Sequence, residues 1–471
     1  MTKIKSTNQK ISLKENVDGG SKKALKGFVL WGIVLAGYLL FCFNWMVMDN
    51  MKGIAGESGW YGSFFANKPG SLVDQAPNWT LTFMRGVGAF LAGWVLVKIG
   101  HKYSVTIALL LLAFGGIIGP LTGIADPLKV QSTGENRVFM FLLFLLFRMC
   151  MAVGATTLIV YTQPIIATYF NEKQKTITNL LNSFSFNVGS IIAIACMTYG
   201  AKEVMLSNWV AFTSGISAIA IILLILWLIL AEPIAMPNDP SDQATYSSVL
   251  KESRTIKLSI MFGLWLTWVV LFLTMLPGYF ITPIANASHR VLPGTAIGTW
   301  KIMFLLGLFG GIPAFTWISS KDWSRKPIII TTILIGIAFT FITALIGAYG
   351  MKEGKGFNTF LFYLTSFLAG MAGWGVQGYM LGTTYHYKEA TPKKQGILIG
   401  SCWGIGYMSE TLLTIFSSGI DSIVVAGGER DVTSAWIFII VYLAYCLGAA
   451  IMWLFIPETH GKNPGIDSIH A

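Results

Sequence analysis

The stretch from Gly27 to Asp49, GFVLWGIVLAGYLLFCFNWMVMD, carries no charged side chain before its last residue. A helix of this length rises about 1.5 Å per residue and spans the roughly 30 Å hydrocarbon core of a bilayer. The rest of the chain repeats the pattern, because 54% of all residues are hydrophobic, only 12% are charged, and the mean hydropathy is +0.64. A water-soluble domain could not bury so much apolar surface, so the sequence indicates an integral membrane protein.

Twelve such apolar runs are predicted to be transmembrane helices, which makes this an all-α membrane protein. They cover 27–49, 78–97, 104–125, 138–168, 177–199, 207–231, 258–284, 297–319, 328–349, 358–384, 395–418 and 435–456. A polar stretch with the helix-breaking residues Pro237 and Pro240 separates two groups of six. We therefore predict a disordered cytoplasmic tail over 1–26, a six-helix bundle over 27–231, a cytoplasmic linker over 232–257, a second six-helix bundle over 258–456 and a cytoplasmic tail over 457–471.

The distribution of Lys and Arg predicts the orientation of the chain. If both termini are cytoplasmic, 21 of these residues lie in cytoplasmic segments and 9 on the opposite side, which is the bias expected for short membrane loops. We therefore predict a multi-pass protein of the cell membrane with both termini in the cytoplasm. The net charge of +11 then reflects this topology and attraction to anionic lipid, and does not indicate binding of nucleic acid.

No pattern in the polar loops indicates catalysis. The five cysteines all lie within predicted spans and lack the spacing of metal ligands. The loops contain no phosphate-binding, metalloprotease or serine-nucleophile motif and no paired carboxylates. We expect no enzyme activity, no catalytic residue, no metal site and no cofactor. The expected partners of the protein, which we take to be a monomer, are a small-molecule substrate and membrane lipid.

Short basic turns follow the second helix of each group. The first reads GWVLVKIGHK over 93–102 and the second WISSKDWSRK over 317–326, while the fourth run contains RMCMAVG over 148–154 and PETHGK follows the last run over 457–462. The first turn resembles the GxLxDRxGRR signature of the major facilitator superfamily, and the second resembles a degenerate copy of it. The other two segments are similar to the Arg-plus-Gly signature of the family's fourth helix and to the PETKGR ending of its sugar porters. With the six-plus-six layout, the resemblance covers nearly the whole chain.

The chain departs from the family pattern at several positions. Val97 stands where the first signature has Asp, so the usual carboxylate partner of the cytoplasmic gate is missing. The sugar-porter QQLSG segment is absent from the seventh helix, which reads WLTWVV over 265–270. The segment GYLLFCFN over 37–44 is similar to the GxxFGYD segment of proton-coupled sugar porters, with Asn44 in place of the Asp. Because an amide does not exchange a proton near neutral pH, Asn44 favours facilitated diffusion or exchange over symport.

The resemblance implies alternating access, in which two six-helix bundles rock about a site near the middle of the membrane. Basic turns would hold the bundles together on the cytoplasmic side, and the gating residues expected there are Gly93, Lys98, Gly100, Lys102, Arg325 and Lys326. The first, fourth, seventh and tenth helices would line the cavity and supply the candidate substrate-binding residues Asn44, Trp45, Arg148, Gln163, Trp265, Trp268, Trp374, Gln377 and Tyr379. Trp faces beside amides suit a sugar-like ring. The alternative is that the basic turns only anchor the loops and the aromatic residues only fill space.

Charged residues inside a membrane are costly and therefore informative. Arg148 is expected to face the cavity within reach of Asn44 or of substrate, or else to be a structural Arg bonded to backbone carbonyls. Arg85 and Glu410 occupy similar depths in the second and eleventh helices, which face each other in the superfamily fold. We expect these two gating residues to pair when the outer side is closed, unless each finds a partner in its own bundle. Asp49 and Glu410 are candidates for coupling transport to an ion.

Two classes of function fit these features. The first is a secondary or facilitative carrier for a small polar organic solute, such as a sugar, a sugar derivative or an organic anion. An exporter of amphipathic compounds is the main rival within this class, because Met and aromatic side chains also suit an apolar pocket. The second class, a channel or a structural membrane protein, lacks support from any loop that resembles a selectivity filter.

Overall fold

Long helices form nearly all of the structure. The computed structural model describes residues 2–124, 135–234, 245–290, 292, 294–351, 356–387, 392–425 and 431–461. Within these residues twelve long helices are numbered here α1 (Thr2–Asn50), α2 (Ala76–Ile99), α3 (His101–Leu121), α4 (Val138–Tyr169), α5 (Glu172–Tyr199), α6 (Trp209–Leu230), α7 (Ser253–Thr274), α8 (Ala296–Ser319), α9 (Arg325–Leu345), α10 (Gly356–Gly382), α11 (Pro392–Val425) and α12 (Val432–Leu454). All twelve predicted spans overlap these helices, so the predicted fold class is confirmed.

Each helix end can be assigned to one of the two sides of the membrane, because successive helices cross it in opposite directions. We call the side on which α6 ends and α7 begins the linker side, since the segment joining the two halves lies there. The opposite side, on which α1 ends and α8 begins, is called the far side. On the far side, short helices at Gly59–Phe64 and Ser71–Asp74 precede α2, and a π-helical turn at Pro277–Ile281 extends α7.

The eleventh helix differs in composition from the others. Eleven helices of the described chain are long and apolar enough to cross a membrane, and α11 is not among them. Its hydroxyl groups donate to its own backbone one turn earlier, Ser401 to the carbonyl of Ile397 and Thr411 to that of Tyr407, each at 2.7 Å. Because α11 packs between α2 and α7, much of this polar surface is buried in protein and does not need the apolar composition of a lipid-facing helix.

The first helix begins earlier than expected. A disordered tail was predicted over 1–26, whereas α1 starts at Thr2 and continues without a break into the membrane span Lys22–Asn50. The tail contains no Pro and several residues with good helix propensity, such as Lys, Leu, Gln and Glu. A helix already nucleated in the membrane adds one hydrogen bond for each further residue, which is cheaper than starting a new helix. Parts of the predicted linker and C-terminal tail, 235–244 and 462–471, lie outside the described residues.

Indole donors tie neighbouring helices together within each half. In the first half Trp31 on α1 donates to the side chain of Asn182 on α5 at 2.9 Å. In the second half Trp300 on α8 donates to the hydroxyl of Thr343 on α9 at 2.8 Å. These buried indole N–H groups cannot bond to water in the hydrocarbon core, so they need acceptors on other helices. Each pair therefore helps to determine which helices pack side by side.

The two halves meet along two pairs of helices, α2 with α11 and α5 with α8. A Cβ atom added to Gly86 on α2 would come within 2.9 Å of the carbonyl oxygen of Gly404 on α11, so only a glycine permits this approach. At the far side, Tyr199 of α5 and Thr299 of α8 are joined by a hydroxyl–hydroxyl hydrogen bond of 2.5 Å. The backbone N–H of Leu72 also donates to the hydroxyl of Ser422 at 3.2 Å. These contacts close the far side.

Candidate functional site

A cavity of about 400 Å³ lies between the two halves. Its walls come from α5, α8 and α10 and from the residues next to the linker-side ends of α9 and α10. The lining residues are Leu180, Ser183, Leu308, Ile312, Phe315, Thr316, Ser319, Arg325, Trp374, Gly375, Gln377, Gly378, Tyr379, Gly382 and His386. Because these residues occupy the linker-side part of their helices, the cavity opens to the linker side while the far side is closed.

Aromatic side chains from both halves form a continuous chain of ring contacts, which we call the aromatic partition. The successive ring contacts are Trp45–Phe186 at 5.8 Å, Phe186–Trp374 at 5.1 Å, Trp374–Trp265 at 5.9 Å, Trp265–Phe262 at 4.9 Å, Phe262–Trp403 at 4.8 Å and Trp403–Tyr407 at 5.4 Å. Of these residues, Trp374 also lines the cavity. Trp374 is therefore the residue at which the partition meets the cavity.

Arg85 on α2 completes the aromatic partition. Its guanidinium lies 4.1 Å from the ring centroid of Tyr407 and 4.9 Å from that of Trp45, and it donates to the hydroxyl of Tyr38 at 3.0 Å. A guanidinium held between aromatic faces is attracted by their quadrupoles, most strongly where water is excluded. Since Tyr407 belongs to α11, this cation–π contact joins the two halves.

Arg85 and Glu410 do not form the expected ion pair. The Glu410 carboxylate is buried and accepts a hydrogen bond from the hydroxyl of Thr414 at 3.1 Å, while neither charge takes part in any salt bridge among the described residues. The reason is local: Arg85 donates to Tyr38 and lies on the ring of Tyr407, which stands one turn before Glu410 on the same helix. The two charges remain close enough to interact electrostatically. Their gating role stays a prediction.

Eight of the nine predicted substrate-binding residues fall into three groups, and Arg148 is described separately below them. Trp374, Gln377 and Tyr379 line the cavity. Trp45 and Trp265 belong to the aromatic partition, and their indole groups donate to the side chain of Asn78 at 3.1 Å and to the carbonyl of Gly373 at 2.8 Å.

The third group lies away from the cavity. Asn44 donates to the hydroxyl of Ser217 at 2.9 Å inside the first half. Trp268 donates to the hydroxyl of Thr340 at 3.0 Å inside the second half. Gln163 is exposed near the linker-side end of α4, where it donates to Asn179 at 2.9 Å. In this conformation these three side chains serve helix packing or the surface.

Arg148 lies deep in α4, ten residues after the helix begins at Val138. Its side chain is 2% exposed, its guanidinium is 5.6 Å from the ring centroid of Phe144, and its Nε and Nη2 atoms have no hydrogen-bond partner among the residues that the structure describes. The expected contact with Asn44 is not formed, because the Asn44 amide is directed at α6. Asp49, which accepts a hydrogen bond from Asn78 at 2.8 Å, is the carboxylate near enough to Arg148 to interact electrostatically.

The first basic turn lies at the linker side as expected. Gly100 joins α2 to α3 with φ of +79°, a conformation that favours glycine. Lys98 is exposed and its ammonium stacks on Trp94 at 4.8 Å, while the Lys102 carbonyl accepts from the indole of Trp227 at 3.0 Å. Gly93 lies half-buried one turn before Lys98. These contacts remain within the first half, so a role of this turn in holding the halves together stays a prediction.

The second basic turn is bound by the segment after α12. Glu458 accepts from the backbone N–H groups of Arg325 and Lys326 at 3.1 and 2.8 Å, which places a carboxylate at the N-terminus of α9. The N-terminus of a helix favours a nearby negative charge, which explains why the PETHGK motif contains Glu458. The Lys326 ammonium donates to the carbonyl of Leu454 at 3.0 Å.

Two histidines next to Arg325 were missed by the sequence reasoning. One terminal nitrogen of its guanidinium lies 3.2 Å from Nε2 of His386 and 3.1 Å from Nε2 of His460, and its plane lies over Tyr379 at 4.9 Å. His460 belongs to the PETHGK segment, so the motif offered a signal for it, whereas nothing in the sequence linked His386 to Arg325. Phe186, Phe262, Trp403 and Tyr407 of the partition were missed as well, because the chain contains 31 Phe, 16 Trp and 16 Tyr residues and nothing in the sequence singles these four out.

Two halves of six helices around a cavity that is open on the linker side, with the far side closed, define a membrane transport protein of the major facilitator fold. A model of the Mycoplasma MFS transporter family matches residues 144–422, more than half of the chain. The chain belongs to this family, whose members are transporters and not enzymes.

Similar proteins agree with this assignment. An uncharacterized protein of Mesomycoplasma hyopneumoniae strain J is 29% identical, with 90% of each chain covered. A major facilitator superfamily transporter of Mycoplasma pneumoniae is 26% identical over 92% of this chain and 94% of the relative. Among solved structures, a crystal structure of a D-xylose–proton symporter superposes with a TM-score of 0.60 at 17% identity, covering 93% of this chain and 99% of the symporter. At that identity the likeness concerns the fold alone.

Proposed function

We propose that this protein is a secondary or facilitative carrier that moves a small polar organic solute across the cell membrane by alternating access. The observation that carries the proposal is the cavity of about 400 Å³, which is open on the linker side and ends at the aromatic partition. A volume of that size is in the range of small-molecule sites. The structure then represents the state in which the carrier exchanges solute with the linker side.

The lining of the cavity supports a polar solute with a flat or ring-shaped apolar face. The indole Nε1 of Trp374 has no hydrogen-bond partner within the described part of the chain although the residue is only 4% exposed, and Gln377 and Ser183 supply further polar groups. An aromatic face with donors and acceptors around it is what a sugar or sugar derivative requires. An exporter of amphipathic compounds would need a larger share of apolar lining, and the test below separates the two.

The sidedness of the protein is part of the proposal. The excess of Lys and Arg supports a cytoplasmic position for the linker side and for both termini. Lys68 and Lys251 are both exposed and lie on opposite sides in this arrangement. Single cysteines at these positions, in a background without the native cysteines, should react with a membrane-impermeant maleimide from opposite sides of intact cells. Labelling of both from the same side would contradict the topology.

The placement of amide and carboxyl groups bears on whether transport is coupled to a proton or cation. Asn44 is buried and bonded to Ser217, and an amide at this position supports facilitated diffusion or exchange. Asp49 and Glu410 remain the carboxylates within the membrane region that could couple transport to a proton or cation. Uptake that persists after a proton uncoupler is added supports the first mode, and loss of accumulation supports the second.

The test of the carrier uses purified protein. Thermal unfolding is followed while sugars, sugar phosphates, carboxylates, nucleosides and amphipathic dyes are added, and stabilising compounds are then tested for uptake into proteoliposomes. Trp374→Phe should weaken binding of the transported solute by about 10-fold, or about 1.4 kcal/mol, because it removes the free indole donor. Trp94→Phe is the matched control, since Trp94 is 54% exposed on α2. The proposal would be contradicted by a stabilising solute that proteoliposomes do not take up, or by one that Trp374→Phe binds as tightly as the wild type. If only the amphipathic dyes bind, and Trp374→Phe weakens their binding, the result would favour the exporter.

A further inference from the structure

Three side chains that line the cavity carry a buried polar atom without a partner. These atoms are the indole Nε1 of Trp374, the hydroxyl of Tyr379 and the guanidinium Nε of Arg325, and none has a hydrogen-bond partner among the residues that the structure describes. The three residues are 4%, 5% and 6% exposed. A buried polar group that stays unpaired costs free energy, so the three atoms indicate a place where a ligand supplies the partners.

Arg325 and Tyr379 meet at the linker-side end of the cavity. The guanidinium lies 4.9 Å from the ring centroid of Tyr379. Its Nη1 atom is 3.6 Å from the position of a Cβ atom built on Gly382, which also lines the cavity. Trp374 stands five residues before Tyr379 on α10, which is roughly 7.5 Å along the helix. The cavity therefore has a cation and a hydroxyl at one end and an indole at the other, where it meets the aromatic partition.

The contacts of the Arg325 guanidinium are with neutral groups. Its Nη2 atom lies 3.2 Å from Nε2 of His386 and 3.1 Å from Nε2 of His460, and because a guanidinium only donates, both rings accept as neutral imidazoles. Glu458 accepts instead from the backbone N–H groups of Arg325 and Lys326 at 3.1 and 2.8 Å. Within the described ranges the guanidinium forms no salt bridge.

This lining favours an anionic ligand. An indole and a guanidinium can only donate hydrogen bonds, so the ligand must supply acceptors. A carboxylate or a phosphate offers several acceptor oxygens and a charge that balances Arg325, whereas a neutral hydroxyl satisfies a donor and leaves the charge as it was. His386 adds a second basic side chain, and no acidic side chain occurs among the described residues that line the cavity.

We propose that Arg325 and the hydroxyl of Tyr379 bind the anionic group of the transported solute at the linker-side end of the cavity, while Trp374 contacts its less polar part. The solute is accordingly a small organic anion that carries a carboxylate or a phosphate ester. This inference rests on the proposed carrier function and narrows its substrate class. It also gives Arg325, which the sequence predicted to act in gating, a direct contact with the solute.

Tyr379→Phe is the sharpest test, because it removes only a hydroxyl that is unpaired in the described structure and keeps the ring next to Arg325. The Tm of purified full-length protein is measured with increasing glucose, glucose 6-phosphate, gluconate or inorganic phosphate. For the wild type we expect glucose 6-phosphate or gluconate to raise Tm at concentrations at which glucose does not. Tyr379→Phe should need about 10-fold more of that anion for the same shift, since a hydrogen bond to a charged group is lost. Its Tm without probe should equal that of the wild type.

Variants of Arg325 test the charge. Arg325→Gln should lose the response to anions, and Arg325→Lys should keep part of it, because Lys retains the charge but not the planar fork. Lys321→Gln is the matched control, since Lys321 is an exposed cation of the same turn whose ammonium lies over Trp317 at 5.6 Å. A loss of response in Lys321→Gln as large as in Arg325→Gln would show a general effect of charge on this face and would overturn the proposal. If Arg325→Gln does not fold, Tyr379→Phe decides the question.

The probes also identify the group that is recognised. A response to gluconate and not to the phosphates supports the site with a carboxylate as its ligand, and a response to inorganic phosphate that Tyr379→Phe weakens supports it with a phosphate. Equal stabilisation by glucose, or no response to any of the three anions, would overturn the site. So would a lower Tm of Tyr379→Phe without probe together with an unchanged response to the anions, because the hydroxyl would then be structural.

The carrier function and the anion site can fail separately. Uptake of a neutral solute at equal rates by proteoliposomes with the wild type and with Arg325→Gln would leave the carrier function intact while refuting the site. An anion that binds through Tyr379 and Arg325 and is never taken up would refute the carrier and retain the site.

Discussion

Substituting Gly298 by Ala should hold the far side of this protein open. Gly298 lies near the start of α8, where it faces Thr198 of α5 across the boundary between the two halves. A Cβ atom at this position would lie 1.9 Å from the hydroxyl oxygen, 2.6 Å from the methyl carbon and 2.7 Å from the Cβ of Thr198. Rotation of the Thr198 side chain cannot remove all three conflicts, because its Cβ is fixed by the backbone of α5.

The size of the effect follows from this overlap. The shortest contact falls roughly 1.6 Å below an ordinary van der Waals separation of about 3.5 Å, so α5 and α8 must move apart. Overpacking of this kind costs about 1–3 kcal/mol. The cost applies only to the state in which the far ends of α5 and α8 touch, and it should shift the equilibrium toward the far-side-open state by roughly 5- to 150-fold.

Pulsed electron paramagnetic resonance distances would measure this shift. Spin labels at Val204 and Ile423, which are 62% and 79% exposed on the far side of the two halves, report the separation there. Gly298→Ala should lengthen this distance, whereas Gly215→Ala should not, since a Cβ atom at Gly215 meets nothing within 4 Å. Adding Thr198→Gly should restore the shorter distance. An unchanged distance in Gly298→Ala, or the same change in the Gly215 control, would refute the reasoning.

Three further predictions concern the partition, the Arg85 and Glu410 charges, and a helix end. Arg85→Lys keeps the charge but loses the planar guanidinium that stacks on Tyr407 at 4.1 Å, so it should weaken far-side closure by up to about 2 kcal/mol in the same distance measurement. The charge swap Arg85→Glu with Glu410→Arg should close the far side no better than either single variant; recovery in the double variant would show that a direct ion pair forms after all. Asn171→Ala removes the side chain that accepts from the backbone N–H of Gln174 at 3.0 Å in a capping box, so the free energy of unfolding should fall by about 1 kcal/mol and Asn171→Ser should recover most of it. Loss of uptake in Asn171→Ala at unchanged Tm would argue against a purely structural cap.

The order and number of the helices could be predicted from the chain because bilayer thickness imposes a length and a composition on each span. Helix α11 shows the limit of that rule. Its run was recognised from its length and spacing, but its Ser and Thr residues were explained only when it was found packed between α2 and α7. Local hydrogen bonds from Ser401 and Thr411 satisfy those hydroxyls, and burial against protein replaces the need for apolar side chains.

The candidate site could be predicted in part. Trp374, Gln377 and Tyr379 were selected from the tenth helix and do line the cavity, since a polar residue within an apolar span usually avoids lipid. Asn44 and Trp268 satisfied the same criterion but face neighbouring helices inside their own halves. Periodicity identifies a face that avoids lipid, yet it does not distinguish a face toward the cavity from a face toward another helix.

The sequence by itself determined that this is a membrane protein of two six-helix halves, because hydrophobic length and the placement of Lys and Arg are properties of single segments. Only the tertiary structure decided which charges and rings meet. Arg85 lies on Tyr407 and not against Glu410, and Asn44 donates to Ser217 on α6 and not to a group in the cavity. These pairings join residues more than 90 positions apart in the chain, and they depend on helix rotation and tilt, which the packing of all the helices sets together.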